Sequence, residues 1–101
     1  MSAEELMPLV TPGEILAEEF LNPLGISEYR VAKDTGIPAS RINEIVRGRR
    51  AITAATAVRF GLYFGLEPAF WLNLQTQYDL DCLEREQGTP KVERCPLIPA
   101  A

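Results

Sequence analysis

One glycine-centred spacing restricts the possible folds of this chain more than any other feature. Ala32 is followed four residues later by Gly36, then directly by Ile37, and then by isoleucines at positions 42 and 45. A small residue lets two helices cross closely, and glycine can adopt the positive φ of a tight turn. The isoleucines are spaced to plug the turn and to point into a core. Two short helices joined in this way are the skeleton of a helix-turn-helix.

Cap residues, prolines and glycines divide the chain into five predicted helices. Thr11, Pro12 and Glu14 form a capping box with proline at the first helical position. The helices are predicted to start at Thr11, Ser27, Pro38, Thr53 and Pro68, and to stop at Asn22-Pro23, Gly36, Gly48, Gly65 and Gly88. No segment alternates with the period of two expected for a strand. The predicted fold is therefore all-α.

The same pattern gives the predicted domain organisation. A length of 101 residues is enough for one small domain. Residues 1–10 are predicted to be a flexible lead, and residues 11–87 the helical domain. The proline-rich residues 88–101 are predicted to be a flexible tail.

Charge is unevenly distributed along the chain. The formal net charge is −4, and residues 1–26 contain five acids and no Lys or Arg. Residues 27–53 instead contain six bases and three acids, a local charge of +3. A basic middle in an acidic chain indicates a local polyanion site rather than general adhesion to anionic surfaces.

The third predicted helix has one apolar side and one polar side. Ile42, Ile45 and Val46 share one side at 100° per residue. The residues of the outward side, with two flanking positions, are Ser40, Arg41, Asn43, Glu44 and Arg47. Arg and Asn can make bidentate contacts with guanine and adenine, and Glu can accept from cytosine, so these five are the predicted base-reading residues. Any solvated helix can carry such a face, and the helix-turn-helix frame favours DNA.

Four further residues are predicted to contact DNA phosphates. Arg49 and Arg50 follow the third helix, where the chain turns away from the bases. Ser27 and Thr53 stand at helix starts, where hydroxyls and free N–H groups suit phosphate oxygens. Helix capping alone is the alternative role for Ser27 and Thr53.

The fifth predicted helix has an apolar stripe that contains Trp71, Leu74 and Tyr78. Core packing is one explanation for the stripe. The other is a dimer contact, because proteins of this kind read two half-sites about 34–36 Å apart as two-fold dimers. The three residues are therefore predicted to lie at a homodimer interface.

The composition also argues against several classes of protein. The chain has no histidine, and Cys82 and Cys95 are not spaced as a metal-binding pair, so no metal or cofactor site is predicted. The sequence contains no glycine-rich phosphate loop and no nucleophile with a convincing base, so no enzyme activity is predicted. No apolar run approaches the roughly 20 residues that span a bilayer. The first residues, MSAEELMPLV, have no basic region before their apolar residues, so a secretory signal is not expected. A cytoplasmic protein with reduced thiols and no membrane contact is expected.

Several longer segments resemble the HigA/VapI-type antitoxins of bacterial toxin–antitoxin modules. These segments are PGEIL..EF..PLGIS, the A-x-x-x-GI turn, ITAATAVRF..YFG and FWLNLQ..YDL, which together span residues 11–86. The resemblance implies a five-helix lambda-repressor-like (Xre) DNA-binding domain with the helix-turn-helix at helices 2 and 3. One departure is Gly61, where the family usually has alanine. A helical glycine costs about 1 kcal/mol unless close packing requires it.

The same resemblance implies a function with two partners. Such proteins repress their own operon as dimers on operator DNA, and they neutralise a RelE/HigB-like toxin that cleaves mRNA. The acidic residues 1–26, which include Glu14, Glu18 and Glu19, are a candidate surface for a basic toxin. Two alternatives stay open: a stand-alone Xre-type regulator without a toxin, and a helical interaction module that has lost DNA binding.

Overall fold

A computed structural model describes residues 8–99, which form five helices and no strand. This agrees with the all-α prediction. Helix α1 has three consecutive segments, Pro12–Ile15, a π-helical Leu16–Leu21 and Asn22–Leu24. The others are α2 at Glu28–Thr35, α3 at Ala39–Val46, α4 at Ala54–Phe64 and α5 at Pro68–Gln87. None of these described helices combines the length and the apolarity that a bilayer span requires.

The two predicted terminal segments are described only in part. Most of the predicted lead, residues 1–7, lies outside the described residues, as do the last two residues of the predicted tail. Residues 88–99 contain neither helix nor strand, and all of them are exposed. Their flexibility and the boundaries of the domain stay predictions.

Hydroxyl side chains cap three helices where the capping pattern predicts them. Thr11, Ser27 and Thr53 accept hydrogen bonds from the N–H three residues later, at 3.1, 3.0 and 3.4 Å. Each bond satisfies one of the N–H groups that a helix start leaves without a partner. The local sequence therefore fixes where α1, α2 and α4 begin.

The predicted end of α1 at Asn22-Pro23 is wrong, because Pro23 lies inside the last helical segment. Proline lacks an N–H, and in an α-helix its ring meets the carbonyl four residues earlier. Here the preceding turn is π-helical, and the N–H of Asn22 bonds to the carbonyl of Ala17, five residues back. This wider turn accommodates the ring. The helix then ends at Gly25, whose φ is 66°.

The core joins all five helices around a group of aromatic side chains. Leu16, Val31, Ile42, Phe60 and Trp71 each have a relative exposure of 0%. The ring of Trp71 lies 4.9 Å from that of Phe20 and 5.1 Å from that of Phe60, measured between centroids. The prediction that Trp71 lies at a dimer contact is therefore wrong, since a side chain with no exposed surface cannot touch a second protomer.

Two glycines mark places where backbones approach closely. A Cβ on Gly13 would lie 1.7 Å from the carbonyl oxygen of Ile45, so the start of α1 rests directly on the end of α3. A Cβ on Gly61 would lie 2.5 Å from the carbonyl oxygen of Leu66. Close packing thus explains a glycine inside α4, and the helix-propensity cost is offset by the contact between α4 and the turn that leads to α5.

Candidate nucleic-acid interface

Helices α2 and α3 form the helix-turn-helix, and local hydrogen bonds fix the turn between them. Gly36 adopts a φ of 77°, and its N–H bonds to the carbonyl of Ala32 at 2.9 Å. The hydroxyl of Thr35 donates to the carbonyl of Val31 at 2.6 Å and accepts from the N–H of Ile37 at 3.3 Å. Ile37 is buried beneath the turn. The roles predicted for Ala32, Gly36 and Ile37 are confirmed.

An arginine of α4 holds the same turn from the other side. Arg59 Nη1 donates to the carbonyl oxygen of Thr35 at 2.6 Å. That carbonyl belongs to the last turn of α2 and has no partner within the helix. No sequence pattern indicates this contact, because an arginine can reach many carbonyls and only the packing of α4 against α2 selects one.

A second link between α2 and α4 centres on Asp34. Its Oδ2 accepts from the hydroxyl of Tyr63 at 2.7 Å and from Arg30 Nε at 2.7 Å. The hydrogen bond from Tyr63, followed by that from Arg30, lowers the pKa of Asp34 below the usual carboxyl value. The same bond to Asp34 raises the pKa of Tyr63. The exposed end of α2 is thereby tied to α4.

The outward face of α3 is the one predicted from the helical wheel. Ile42 and Ile45 are 0% and 1% exposed, and Val46 packs half-buried against the core. Of the five predicted base-reading residues, Ser40, Arg41 and Arg47 are exposed, whereas Asn43 and Glu44 are half-buried. The aliphatic side chains therefore anchor α3 with its polar side turned away from the core.

The two half-buried residues have partners within the protein. Asn43 Nδ2 donates to Glu28 Oε1 at 3.0 Å, a contact that the sequence analysis missed. Glu44 Oε2 lies 2.6 Å from Arg50 Nε in an ion pair whose side chains are 41% and 48% exposed. Exposed ion pairs of this kind contribute about 0–1 kcal/mol. Arg50 can therefore exchange this partner for a phosphate at little cost.

The four predicted phosphate contacts lie at the start of α2, in the loop after α3 and at the start of α4. Arg49 and Arg50 are exposed in the loop after it. The hydroxyl of Ser27 accepts its capping bond and keeps its proton for a further acceptor. Thr53 differs, because its hydroxyl also donates to the hydroxyl of Thr56 at 3.3 Å.

The loop after α3 is attached to α5 by one polar contact. The N–H of Ile52 donates to Gln75 Oε1 at 2.8 Å, and Ile52 itself is only 3% exposed. Gln75 thus satisfies a buried backbone donor next to the loop that carries Arg49 and Arg50. A glutamine in a long helix gave no sequence signal of this role.

Metal-binding chemistry has no support in the described part of the chain. No group of three or more His, Cys, Asp or Glu residues within residues 8–99 is arranged to hold a metal ion. Cys82 and Cys95 are both free thiols. The polar groups gathered around α3 are instead suited to hydrogen bonding with nucleic acid.

Comparison with known proteins adds three similarities. A family model described as helix-turn-helix matches residues 18–71. Virulence-associated protein I of Dichelobacter nodosus is 52% identical over 81 residues, which cover 80% of this chain and 75% of that protein. An addiction module antidote protein of the HigA family from Coxiella burnetii is 44% identical with a TM-score of 0.76, covering 81% of this chain and 89% of the other.

A further similar structure contains DNA. A Pseudomonas aeruginosa protein in complex with its 18-bp operator DNA is 40% identical to this chain, with a TM-score of 0.78. The match covers 81% of this chain and 88% of the other.

Proposed function

The chain belongs to the Xre-type helix-turn-helix family together with the HigA- and VapI-type proteins, and from this premise we propose that it represses its own operon by reading operator DNA with α3. The family consists of DNA-binding regulators and antitoxins rather than enzymes. The observation that carries the proposal is the polar face of α3, held outward by the buried Ile42 and Ile45.

Base reading is assigned to the residues of that face. Ser40 stands in the first turn of α3, where a short side chain lets the helix approach base edges. Arg41 and Arg47 are exposed, and each can donate two hydrogen bonds to one guanine. Asn43 can pair with adenine, and Glu44 can accept from a cytosine amino group or orient Arg50. Ser27, Arg49, Arg50 and Thr53 are assigned to phosphates.

Operator binding is tested with the purified protein and duplexes that tile the DNA upstream of its own gene. We expect one tile to bind far more tightly than a shuffled duplex of the same composition. The logarithm of its binding constant should fall linearly with the logarithm of salt concentration, because phosphate contacts release counterions. Equal binding to the specific and shuffled duplexes would contradict the proposed function.

The second half of the proposal is neutralisation of a RelE-like mRNA-cleaving toxin. Its support is the kinship with antitoxins and the acidic surface of α1, where Glu14, Glu18 and Glu19 are all exposed. An acidic surface favours association with the basic proteins that bind RNA. Co-purification from the native host separates this function from the alternative of a stand-alone regulator, which would bring down no small ribonuclease.

The contact surface is tested by charge neutralisation at constant size. A variant with Glu14, Glu18 and Glu19 changed to Gln should bind the co-purified toxin less tightly. A control variant with Glu84, Glu86 and Glu93 changed to Gln removes the same charge from other exposed positions. If the two variants bind the toxin equally well, the α1 surface is not the contact.

We also propose that two protomers pair through α5. Leu74 and Tyr78 are half-buried on one side of α5. Leu80 and Leu83, which are 56% and 49% accessible, lie on a second, exposed apolar side of the same helix, against which a partner can pack. Trp71 has no part in this surface. Pairing would present two α3 helices to two half-sites of one operator.

A further inference from the structure

The first residue of α2 touches the base-reading face of α3. Glu28 Oε1 accepts a hydrogen bond from Asn43 Nδ2 at 3.0 Å, and both side chains are half-buried. The two residues are 15 positions apart in sequence, so the contact exists only when the helix-turn-helix is folded. Glu28 lies in the first turn of α2, where a negatively charged side chain interacts favourably with the helix dipole.

The chemistry of this pair fixes the orientation of the Asn43 amide. An ionised carboxylate has acceptor oxygens only, whereas an amide has one donor end and one acceptor end. The NH₂ group must therefore face Glu28, since turning the amide over would set its oxygen against the carboxylate. One N–H of Asn43 is used in this bond, which leaves the other N–H and Oδ1 for a ligand.

We infer that Glu28 is a positioning residue that makes Asn43 select adenine, an inference that rests on the proposed operator binding. Adenine presents the N7 acceptor beside the N6 amino donor, which matches one N–H beside one oxygen. Guanine presents two acceptors, N7 and O6, and would leave Oδ1 facing an acceptor. The negative charge of Glu28 also repels phosphate, but that repulsion is the same for every DNA sequence.

The test measures base preference at each position rather than affinity alone. A random duplex library is selected with the wild-type protein, Glu28→Gln, Asn43→Ala and the double variant, and bound and unbound pools are sequenced. The wild type should prefer adenine at one position by about tenfold, within the range known for a bidentate contact. Asn43→Ala should abolish that preference.

Glu28→Gln should reduce the same preference to about twofold, because a glutamine amide can donate or accept and lets Asn43 turn over. The double variant should have the same base profile at that position as Asn43→Ala, because Glu28 acts there only through Asn43. Glu28→Gln should also bind all sequences more tightly, since a charge that repels phosphate has been removed. Glu28→Asp keeps the charge but shortens the side chain by one methylene, so it should lose the preference without the general gain.

Glu67→Gln, an exposed change at the start of α5, is the charge-matched control and should keep the wild-type profile. The inference is overturned if Glu28→Gln and Glu28→Asp retain the full adenine preference, or if they alter only positions that Asn43→Ala leaves unchanged. A wild-type protein with no base preference at any position would overturn the proposed operator reading as well. If instead the wild type is selective but its base profile does not depend on Glu28, only the inference about Glu28 fails.

Discussion

At the scale of single residues, the arginines near α3 differ in what surrounds them. Arg47 ends the helix on its outward side, whereas Arg49 and Arg50 stand in the loop beyond it. Arg50 is held by Glu44, and the N–H of Arg49 bonds to the carbonyl of Glu44 at 2.8 Å. Residues so close in sequence should therefore have separable effects on DNA binding.

Arg47→Ala and Arg49→Ala are predicted to weaken operator binding in different ways. Arg47→Ala should cost about 1–3 kcal/mol and relax selectivity at one base pair, because a bidentate base contact is lost. Arg49→Ala should weaken binding to all sequences and reduce the salt slope by about 1. Fluorescence anisotropy titrations at several salt concentrations measure both quantities. Identical changes in selectivity and slope for the two variants would contradict the assignment.

The pair formed by Asp34 and Tyr63 should give a pH-dependent contribution to stability. The pKa of Asp34 is lowered in the folded protein by its hydrogen bonds from Tyr63 and Arg30. The ionised group therefore adds stability above the unfolded carboxyl pKa of about 3.9, and this is lost as pH falls through the lowered folded value.

Tyr63→Phe is accordingly predicted to lower the free energy of unfolding at pH 7. At a strongly acidic pH, below the lowered pKa of Asp34, the difference from the wild type should narrow because Asp34 is protonated. Urea unfolding at pH 7 and at the acidic pH measures this difference in the free energy of unfolding. Tyr29→Phe, on a side chain that is 72% exposed, is the control and should match the wild type throughout. A Tyr63→Phe deficit that is equal at both pH values would argue against this role of Asp34.

At the scale of helices, the features that depend on local sequence patterns were predictable, whereas the contacts that long side chains make between helices were not. The starts of α1, α2 and α4 and the turn at Gly36 were predictable, because capping and positive φ depend on neighbours in sequence. The contact of Arg59 with Thr35 and that of Glu28 with Asn43 were not, because they depend on how helices pack. Trp71 illustrates a second limit, since core and dimer contacts share the same helical spacing.

The close crossing of α1 and α3 gives a prediction about Gly13. Gly13→Ala would set a Cβ 1.7 Å from the carbonyl oxygen of Ile45, so α1 and α3 must move apart. We expect a loss of about 1–3 kcal/mol in the free energy of unfolding, as for other overpacked sites. Operator binding should also weaken, because the displaced helix carries the base-reading face.

The matched control for this substitution is Gly25→Ala. Gly25 has a φ of 66° and no neighbouring atom within 4 Å of the added Cβ, so only a backbone cost of about 1 kcal/mol applies. Chemical unfolding gives the stability of both variants. Should Gly13→Ala unfold at the same denaturant concentration as wild type, the contact between α1 and α3 would not be as tight as described.

At the scale of the whole molecule, the two charged regions lie on different helices of one small fold. The acidic side chains belong to α1, and the basic residues belong to α3 and its following loop. A protein with this division can hold an acidic surface toward a basic partner and a basic surface toward DNA. Both surfaces belong to one protomer, so pairing of protomers doubles each of them.

Pairing through α5 gives the last prediction. Leu80→Arg should shift the protein from dimer to monomer in sedimentation velocity at tens of micromolar, because a charge would be buried among apolar side chains. Leu62→Arg is the control, since it makes the same substitution at a leucine of α4 that is 82% exposed and lies outside the proposed surface. A duplex with two half-sites binds a dimer more tightly than one half-site does, through effective concentration. Leu80→Arg should therefore lose the advantage of two half-sites and keep its affinity for one. A monomeric wild type, or dissociation by Leu62→Arg alone, would exclude α5 as the interface.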